Sequence, residues 1–355
     1  MKLSAPVLLA TSALVLGCVG SSPTEEVGRA SAPVIEELDR CDSVLRSETM
    51  VRVADDVALH VIEKHTPRGL AASPRRALLM LPPTLATNAI YDAQVPGDGS
   101  TSPAKSSDFD ALERAERKGY LAFAPSYEGY GASTHPADGA TVTKARCLAD
   151  VAALVEWIHK THAVERVDVF GMSIGSSLAV ALGSTTSGEV REHVGRIVVT
   201  SNVYASVTPF FASAFFNPGL LAFLQSAPNG YVATTPEAYG LLLSNSEPAA
   251  VTWLSTALPG TYATGPTLEG FTLPLFDASL ARAPMLQIWG TADPVTPPED
   301  VAAFQAAYGG PASLRVIEGG AHSLPFEPGR EQLWSATFDF LDAGRPSIRE
   351  VACNP

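Results

Sequence analysis

A serine between two glycines, in the segment Gly171-Met172-Ser173-Ile174-Gly175, is the strongest candidate for covalent chemistry in this sequence. An apolar run that predicts a buried strand precedes it, and an apolar helical pattern opens at about Gly175. A serine in a strained strand-to-helix turn projects its hydroxyl above the sheet, and residues as small as glycine let strand and helix approach there. The pattern therefore predicts that Ser173 is a nucleophile.

A serine hydroxyl is a poor nucleophile at neutral pH, so it needs a base, and the base needs an orienting carboxylate. Of the seven histidines, His322 directly follows the last predicted strand, and Asp293 directly follows the strand before it. Loops after parallel strands open at one edge of a sheet, where ligands bind. We therefore predict a triad of Ser173, Asp293 and His322, with Glu318 as the alternative to Asp293 for the acid. The loop after residues 197–200 offers no carboxylate.

The oxyanion formed when a serine attacks an acyl carbon needs two preorganised hydrogen-bond donors. One should be the backbone N–H of Ile174, at the start of the helix. The other should come from the loop after the predicted strand 77–81, which opens with two prolines that have no N–H. The donor is then Thr84 or Leu85, with Thr84 preferred. The alternative is that Thr84 is an ordinary loop residue.

Short apolar runs alternate with amphipathic stretches along most of the chain. This alternation predicts right-handed crossovers and an α/β fold with a doubly wound, mostly parallel sheet that begins with two antiparallel strands. The predicted strands are 48–53, 58–64, 77–81, 120–124, 166–170, 197–200, 285–289 and 314–317.

Residues 203–280 break the alternation. This block is rich in Phe, Leu, Pro, Ala and Tyr and is long enough for several helices, so we predict an inserted helical cap. Ordinary long loops are the alternative, which the length of the block disfavours. The insertion divides the core domain into residues 40–202 and 281–345.

The N-terminus has the pattern of an export signal, since Lys2 is followed by an apolar run over 3–16 that is short for a membrane span. The run ends in Leu-Val-Leu-Gly-Cys at positions 14–18, which resembles the lipobox of bacterial lipoproteins. That resemblance implies a signal peptide over 1–17, lipid attachment at Cys18 and a solvated tether over 18–39. It also implies a cell-envelope location, at the outer membrane or cell surface. An ordinary signal peptide and secretion are the alternative.

Lipidation of Cys18 would leave three cysteines in an oxidising compartment. Cys147 lies within a helical pattern, while Cys41 and Cys353 lie near the two ends of the folded region. We therefore predict a Cys41–Cys353 disulfide, with three free thiols as the alternative.

The overall composition excludes some classes of protein. A hydrophobic content of 46% with 17% charged residues is typical of a globular chain. The 24 basic and 37 acidic residues give a net charge of −13, and no Lys/Arg cluster could follow a phosphate backbone, so nucleic acid is not an expected partner.

Over residues 48–343 the sequence resembles the α/β-hydrolase superfamily. The Gly-x-Ser-x-Gly pentad and the chain order Ser, Asp, His carry this resemblance. Residues 119–125 and 128–133 also resemble the strand and Gly-x-Gly-x-Ser turn of many lipases, esterases and aminopeptidases. Two departures are that Pro82-Pro83 replaces the usual His-Gly and that Ser126 stands where Asp is frequent.

The resemblance implies acyl transfer to water through an acyl-serine, with His322 as base and then acid, Asp293 holding its tautomer, and no metal or cofactor. Dehalogenases and epoxide hydrolases of this superfamily have an Asp in the strand-to-helix turn. A serine at that position favours a carboxylic-ester hydrolase. The apolar content of 203–280 favours small, uncharged, hydrophobic esters of short to medium acyl length. The alternatives are a serine peptidase similar to an aminopeptidase, and a catalytically silent surface lipoprotein that only binds.

Overall fold

The computed structural model describes most of the chain, namely residues 44–95, 108–184, 188–240, 242–274 and 276–345. The predictions for the signal peptide, the tether, Cys18 and the Cys41–Cys353 disulfide lie outside these residues.

Within the described residues, ten strands and eleven α-helices alternate along the chain. The strands are β1 Leu45–Ala54, β2 Val57–His65, β3 Arg76–Leu81, β4 Tyr120–Pro125, β5 Val167–Met172, β6 Val194–Thr200, β7 Tyr231–Ala233, β8 Thr261–Ala263, β9 Met285–Gly290 and β10 Ala312–Ile317. The helices are α1 Pro67–Ala71, α2 Ala111–Arg117, α3 Lys144–His162, α4 Ile174–Gly183, α5 Gly188–His193, α6 Pro209–Phe215, α7 Pro218–Gln225, α8 Pro248–Ala257, α9 Gly265–Glu269, α10 Pro298–Ala307 and α11 Arg330–Asp342. In these ranges no helix is both long and apolar enough to cross a membrane.

Eight strands form one sheet in the order β1-β2-β4-β3-β5-β6-β9-β10. The β1–β2 and β2–β4 pairs are antiparallel, and every other pair is parallel. The central strands β3, β4 and β5 are buried along their whole length, as expected for parallel strands covered on both faces. The predicted fold class, an α/β fold with a mostly parallel sheet, is confirmed.

Helices cover both faces of the sheet, and β3 shows how one strand serves two cores. Its side chains alternate in direction, so Leu79 joins the hydrophobic cluster that contains Leu154 of α3. Leu78 joins the cluster on the other face, which contains Leu112 of α2 and Leu333 of α11. Two hydrophobic cores therefore cover the two faces of the sheet, and the carboxyl ends of its parallel strands share one edge.

Helix α3 is capped at its start by Thr143, whose side chain accepts a hydrogen bond from the backbone N–H of Arg146. The helix ends at Ala163, which has a left-handed backbone conformation. Cys147 lies on the inner face of this helix, is 3% exposed and forms no disulfide. Burial raises the pKa of its thiol far above the ordinary value.

The segment between β6 and β9 leaves the sheet and carries four helices, α6 to α9. It also contains the antiparallel pair β7–β8, with Tyr231 opposite Ala263, so it is not helical throughout. A single bridge between Tyr130 and Tyr262 joins β8 to the loop after β4. We call this segment the insert and keep the bounds predicted for it, residues 203–280.

Candidate active site

Ser173 occupies the sharp turn between β5 and α4, as the pentad predicts. Its φ of 55° and ψ of −119° lie in a region that residues other than glycine rarely adopt. The turn is held in place because the N–H of Ser173 donates to the carbonyl of Thr200 at 3.0 Å, and Ser176 N–H donates to the carbonyl of Ser173 at 2.9 Å. The side chain thus stands at the carboxyl edge of the sheet.

The two glycines of the pentad are required by close backbone approach. A Cβ at Gly171 would lie 2.3 Å from the carbonyl oxygen of Gly175. A Cβ at Gly175 would lie 2.2 Å from the carbonyl oxygen of Leu81, at the end of β3. Neither contact is physically possible, so only glycine lets α4 pack against β5 and β3 at this point.

His322 and Asp293 meet at the same edge, in the loops after β10 and β9. The Nδ1 atom of His322 lies 3.0 and 3.1 Å from the two carboxylate oxygens of Asp293. A carboxylate can only accept, so Nδ1 carries the proton and Nε2 is left as the acceptor. The Asp293 carboxylate also accepts hydrogen bonds from the N–H groups of Val295, at 2.8 Å, and Thr296, at 3.3 Å. The side chains of His322 and Asp293 are almost fully buried.

The structure distinguishes the two candidate acids. Glu318 is exposed, and its carboxylate accepts a hydrogen bond from the hydroxyl of Thr291 at 3.1 Å. Asp293, in contrast, contacts the imidazole directly. Of the two, Asp293 therefore has the geometry of an orienting carboxylate for His322.

Ser173, His322, Thr84 and Ile174 all line one cavity of about 180 Å³. The loop that carries Thr84 is fixed by its neighbour Leu85, whose φ is 58° and whose carbonyl accepts a hydrogen bond from the Tyr239 hydroxyl at 2.7 Å. Thr84 and Ile174 are thus both at the site, and the role of their backbone N–H groups as an oxyanion hole stays a prediction.

Most of the cavity wall is apolar and comes from the insert. Among the described lining residues there is no Asp, Glu, Lys or Arg. The sequence explains this in part, because residues 197–236 contain no charged residue and no histidine. The aromatic and aliphatic side chains that the insert contributes include Phe211, Phe215, Phe216, Leu220, Phe271 and Leu273.

Contacts between the insert and the His322 loop are a feature that sequence reasoning missed. The hydroxyl of Ser323 donates to the carbonyl of Leu242 at 2.8 Å, and the N–H of Glu247 donates to the carbonyl of Phe326 at 2.9 Å. Both pairs join residues about 80 positions apart, so no local pattern could have revealed them. The insert is therefore bonded to the loop that carries the candidate base.

The described residues offer no obvious metal centre, since no three His, Cys, Asp or Glu side chains among them are grouped to hold an ion.

Comparison with known proteins identifies the family. The model of the alpha/beta hydrolase family matches residues 95–333, which is more than half of the chain. The chain belongs to this family. No curated protein matches its sequence.

Solved structures share the fold at low sequence identity. An esterase from Exiguobacterium antarcticum has a TM-score of 0.61 at 15% identity, over 84% of this chain and 100% of its own. E-2-(acetamidomethylene)succinate hydrolase has a TM-score of 0.60 at 15% identity, over 84% and 100% of the two chains. A bacterial membrane phospholipase A has a TM-score of 0.58 at 16% identity, over 86% and 89%. Such identities establish the likeness of fold alone.

Proposed function

We propose that this hydrolase-family protein is a serine hydrolase that cleaves carboxylic esters through an acyl-serine intermediate. Ser173 attacks the acyl carbon, and His322 accepts its proton at Nε2 and later returns a proton to the leaving alcohol. Asp293 holds the imidazole in the required tautomer. The N–H groups of Ile174 and Thr84 stabilise the oxyanion, and water then releases the acid.

One observation carries this proposal. Ser173, in a strained strand-to-helix turn, and His322, which is paired with the buried Asp293, line the same cavity. Backbone strain at a polar residue in a cleft is characteristic of functional sites, because ordinary packing gives no reason to keep it. The family membership and the esterase fold of one neighbour support the same reaction class.

The wall of the cavity supports a substrate class. A largely apolar lining without Asp, Glu, Lys or Arg does not compensate a buried charge but favours apolar groups. We therefore propose uncharged, hydrophobic esters of short to medium acyl length. One structural neighbour is named a membrane phospholipase A, which is consistent with this class.

A peptidase that holds a substrate ammonium would need a carboxylate in the cavity. The insert has four acidic residues, and none of them lines it. Glu247 pairs with Arg330, Glu269 accepts from the N–H of Lys144, and Asp277 accepts from Ser279. Glu237 is exposed. These contacts favour an esterase over an aminopeptidase.

Labelling with a fluorophosphonate tests the nucleophile, and a series of nitrophenyl esters of increasing acyl length tests the substrate class. We expect labelling of Ser173 and a rate that rises with acyl length and then falls. Aminopeptidase activity above esterase activity on matched substrates would contradict the proposal. Absence of both labelling and turnover would favour a silent binding protein.

We also propose that the mature protein begins at Cys18, is acylated there and is located at the cell envelope. The support is the sequence of residues 14–18 and the apolar run before it. A chain acylated in this way would keep its catalytic domain next to lipid, where hydrophobic esters concentrate.

A further inference from the structure

Glu327 is a buried acid that the mechanism above does not use. It follows the short turn Leu324–Phe326 and is 0% exposed. Its Oε2 atom accepts a hydrogen bond from the N–H of Ala321 at 2.6 Å, and its Oε1 atom accepts one from the N–H of Ser323 at 2.8 Å. One carboxylate therefore bridges the backbone on both sides of His322.

This arrangement fixes the position from which the imidazole projects. A buried carboxylate is costly unless its oxygens are bonded, and buried N–H groups carry the same requirement, so the four atoms satisfy each other. The hydroxyl of Ser201 adds a third restraint by donating to the carbonyl of His322. With the backbone held, the contact of Nδ1 with Asp293 sets the remaining rotation of the ring.

The same carboxylate connects the loop to the insert. The side-chain amide of Asn245 donates to Glu327 Oε2 at 3.3 Å and to the carbonyl of Gly319 at 3.0 Å. Asn245 is itself exposed. The Asn245 amide thus reaches from the insert to both ends of the loop that contains His322.

Charge is the second contribution of Glu327. Burial raises the pKa of its carboxyl, the nearby negative charge of Asp293 raises it further, and the three hydrogen bonds it accepts oppose this rise. The other charged groups at this place are His322 itself, Glu247, and Arg330, whose guanidinium donates to the Glu327 carbonyl and pairs with Glu247. An ionised Glu327 carboxylate would favour the imidazolium that forms when His322 takes the serine proton.

We propose that Glu327 is a positioning residue for His322, which holds the backbone on both sides of the base and supplies a second negative charge beside it. This role rests on the proposed function, in which His322 is the base. It also makes Asn245 the connection between the insert that shapes the cavity and the loop that carries the base.

The test compares Glu327→Gln with Glu318→Gln, which removes a carboxylate from the same loop but from an exposed position away from the imidazole. In Glu327→Gln the amide nitrogen cannot accept one of the two N–H bonds. We expect kcat to fall about 10- to 100-fold, because a small misplacement of the base lowers the rate of reaction, with KM nearly unchanged. Glu318→Gln should match the parent protein.

The pH profile separates positioning from general stability. Removing the negative charge disfavours the protonated imidazole, so the acid limb of kcat/KM for Glu327→Gln should move to lower pH. A loss of folding alone would lower the amount of active protein without moving that limb. An unchanged limb together with unchanged kcat would overturn the proposal.

Two further measurements cover the remaining outcomes. Asn245→Ala changes an exposed side chain, so it should fold even if Glu327→Gln does not, and we expect a several-fold loss of kcat with the parent KM. A parent value of kcat in Asn245→Ala, with Glu327→Gln unfolded, would count against the proposal. Fluorophosphonate labelling of Ser173 distinguishes failure of the positioning proposal from failure of the proposed function. If the parent and Glu327→Gln are labelled at equal rates, only the positioning proposal is rejected. If the parent is not labelled, the proposed function is rejected as well.

Discussion

The loops at the carboxyl edge of the sheet and the insert that adjoins them differ in the kind of side chain that they contain. The loops after β9 and β10 hold buried charged and polar side chains, each with hydrogen-bond partners, such as Asp293 and Glu327. The insert begins with a stretch free of charge, and large side chains such as Phe210 and Phe223 remain 59% and 58% exposed. Helix α6 buries none of its residues.

The contrast indicates that the two regions have different roles. Hydrogen bonds to buried groups are directional, so they fix the reacting atoms, whereas apolar contacts are non-directional and tolerate changes in shape. Substitutions of the buried polar side chains at the edge loops should therefore change kcat, and substitutions of the apolar side chains by which the insert lines the cavity should change which ester is preferred. The following variants test that difference in roles, from the largest expected effect to the smallest.

Replacement of the proposed nucleophile should have the largest effect. We expect Ser173→Ala to lower kcat at least about 1000-fold, because the members of a triad act as a unit, and His322→Ala to lower it similarly. Thermal unfolding monitored by circular dichroism should match the parent protein for Ser173→Ala. Turnover near the parent value in Ser173→Ala would place the nucleophile elsewhere.

The proposed acid should matter less than the proposed base, since its expected role is to orient the imidazole and not to react. We expect the loss in Asp293→Asn to be about 10- to 100-fold smaller than in His322→Ala. The measurement is kcat with a soluble nitrophenyl ester, and Glu318→Gln is the matched control. If Asp293→Asn keeps full activity while Glu318→Gln is inactive, the acid has been assigned to the wrong residue.

Neighbouring phenylalanines of α6 test the role of the insert. Phe211 lines the cavity, whereas Phe210 is largely exposed. Phe211→Ala should move the preferred acyl chain to greater length, because each methylene that the enlarged cavity buries contributes about 0.8 kcal/mol. The readout is kcat/KM across the nitrophenyl ester series, in which Phe210→Ala should keep the parent optimum. Identical profiles for both variants would remove the insert from substrate selection.

The proposed lipid attachment at Cys18 lies outside both regions in the sequence, and its loss should have the smallest effect on turnover. Cys18→Ser should release the protein from membranes or block its processing, while kcat on a soluble ester stays unchanged. Fractionation and the intact mass of the mature chain provide the measurement. A mature N-terminus without attached lipid would reject the proposed acylation.

Much of the fold was predictable because buried parallel strands have continuous apolar runs that are easy to recognise. The largest errors were at strand starts: 48 and 197 were predicted for β1 and β6, which begin at Leu45 and Val194. β1 starts with exposed residues, so its first positions lack the apolar signal. The three-residue strands β7 and β8 were missed because they are too short to show alternation.

The candidate site was predictable as far as chain order and strand ends determine it. The meeting of Asp293 with His322 follows from two adjacent parallel strands ending at one edge. The hydrogen bond from Asn245 to Glu327 could not be predicted from the order of the strands. The two residues are 82 positions apart, and only the path of the insert brings them together. An acid five residues after the candidate histidine was the one local signal available for Glu327.

The buried thiol of Cys147 allows local unfolding around α3 to be measured in the native chain. Alkylating reagents react with a thiolate, and burial keeps this sulfur both protonated and out of their reach. Modification in native buffer therefore requires a local opening that exposes the buried face of α3 at this position. The rate of this modification can be followed by mass spectrometry of the peptide that contains Cys147. It gives the free energy of the local unfolding event without the need to introduce a cysteine by mutation.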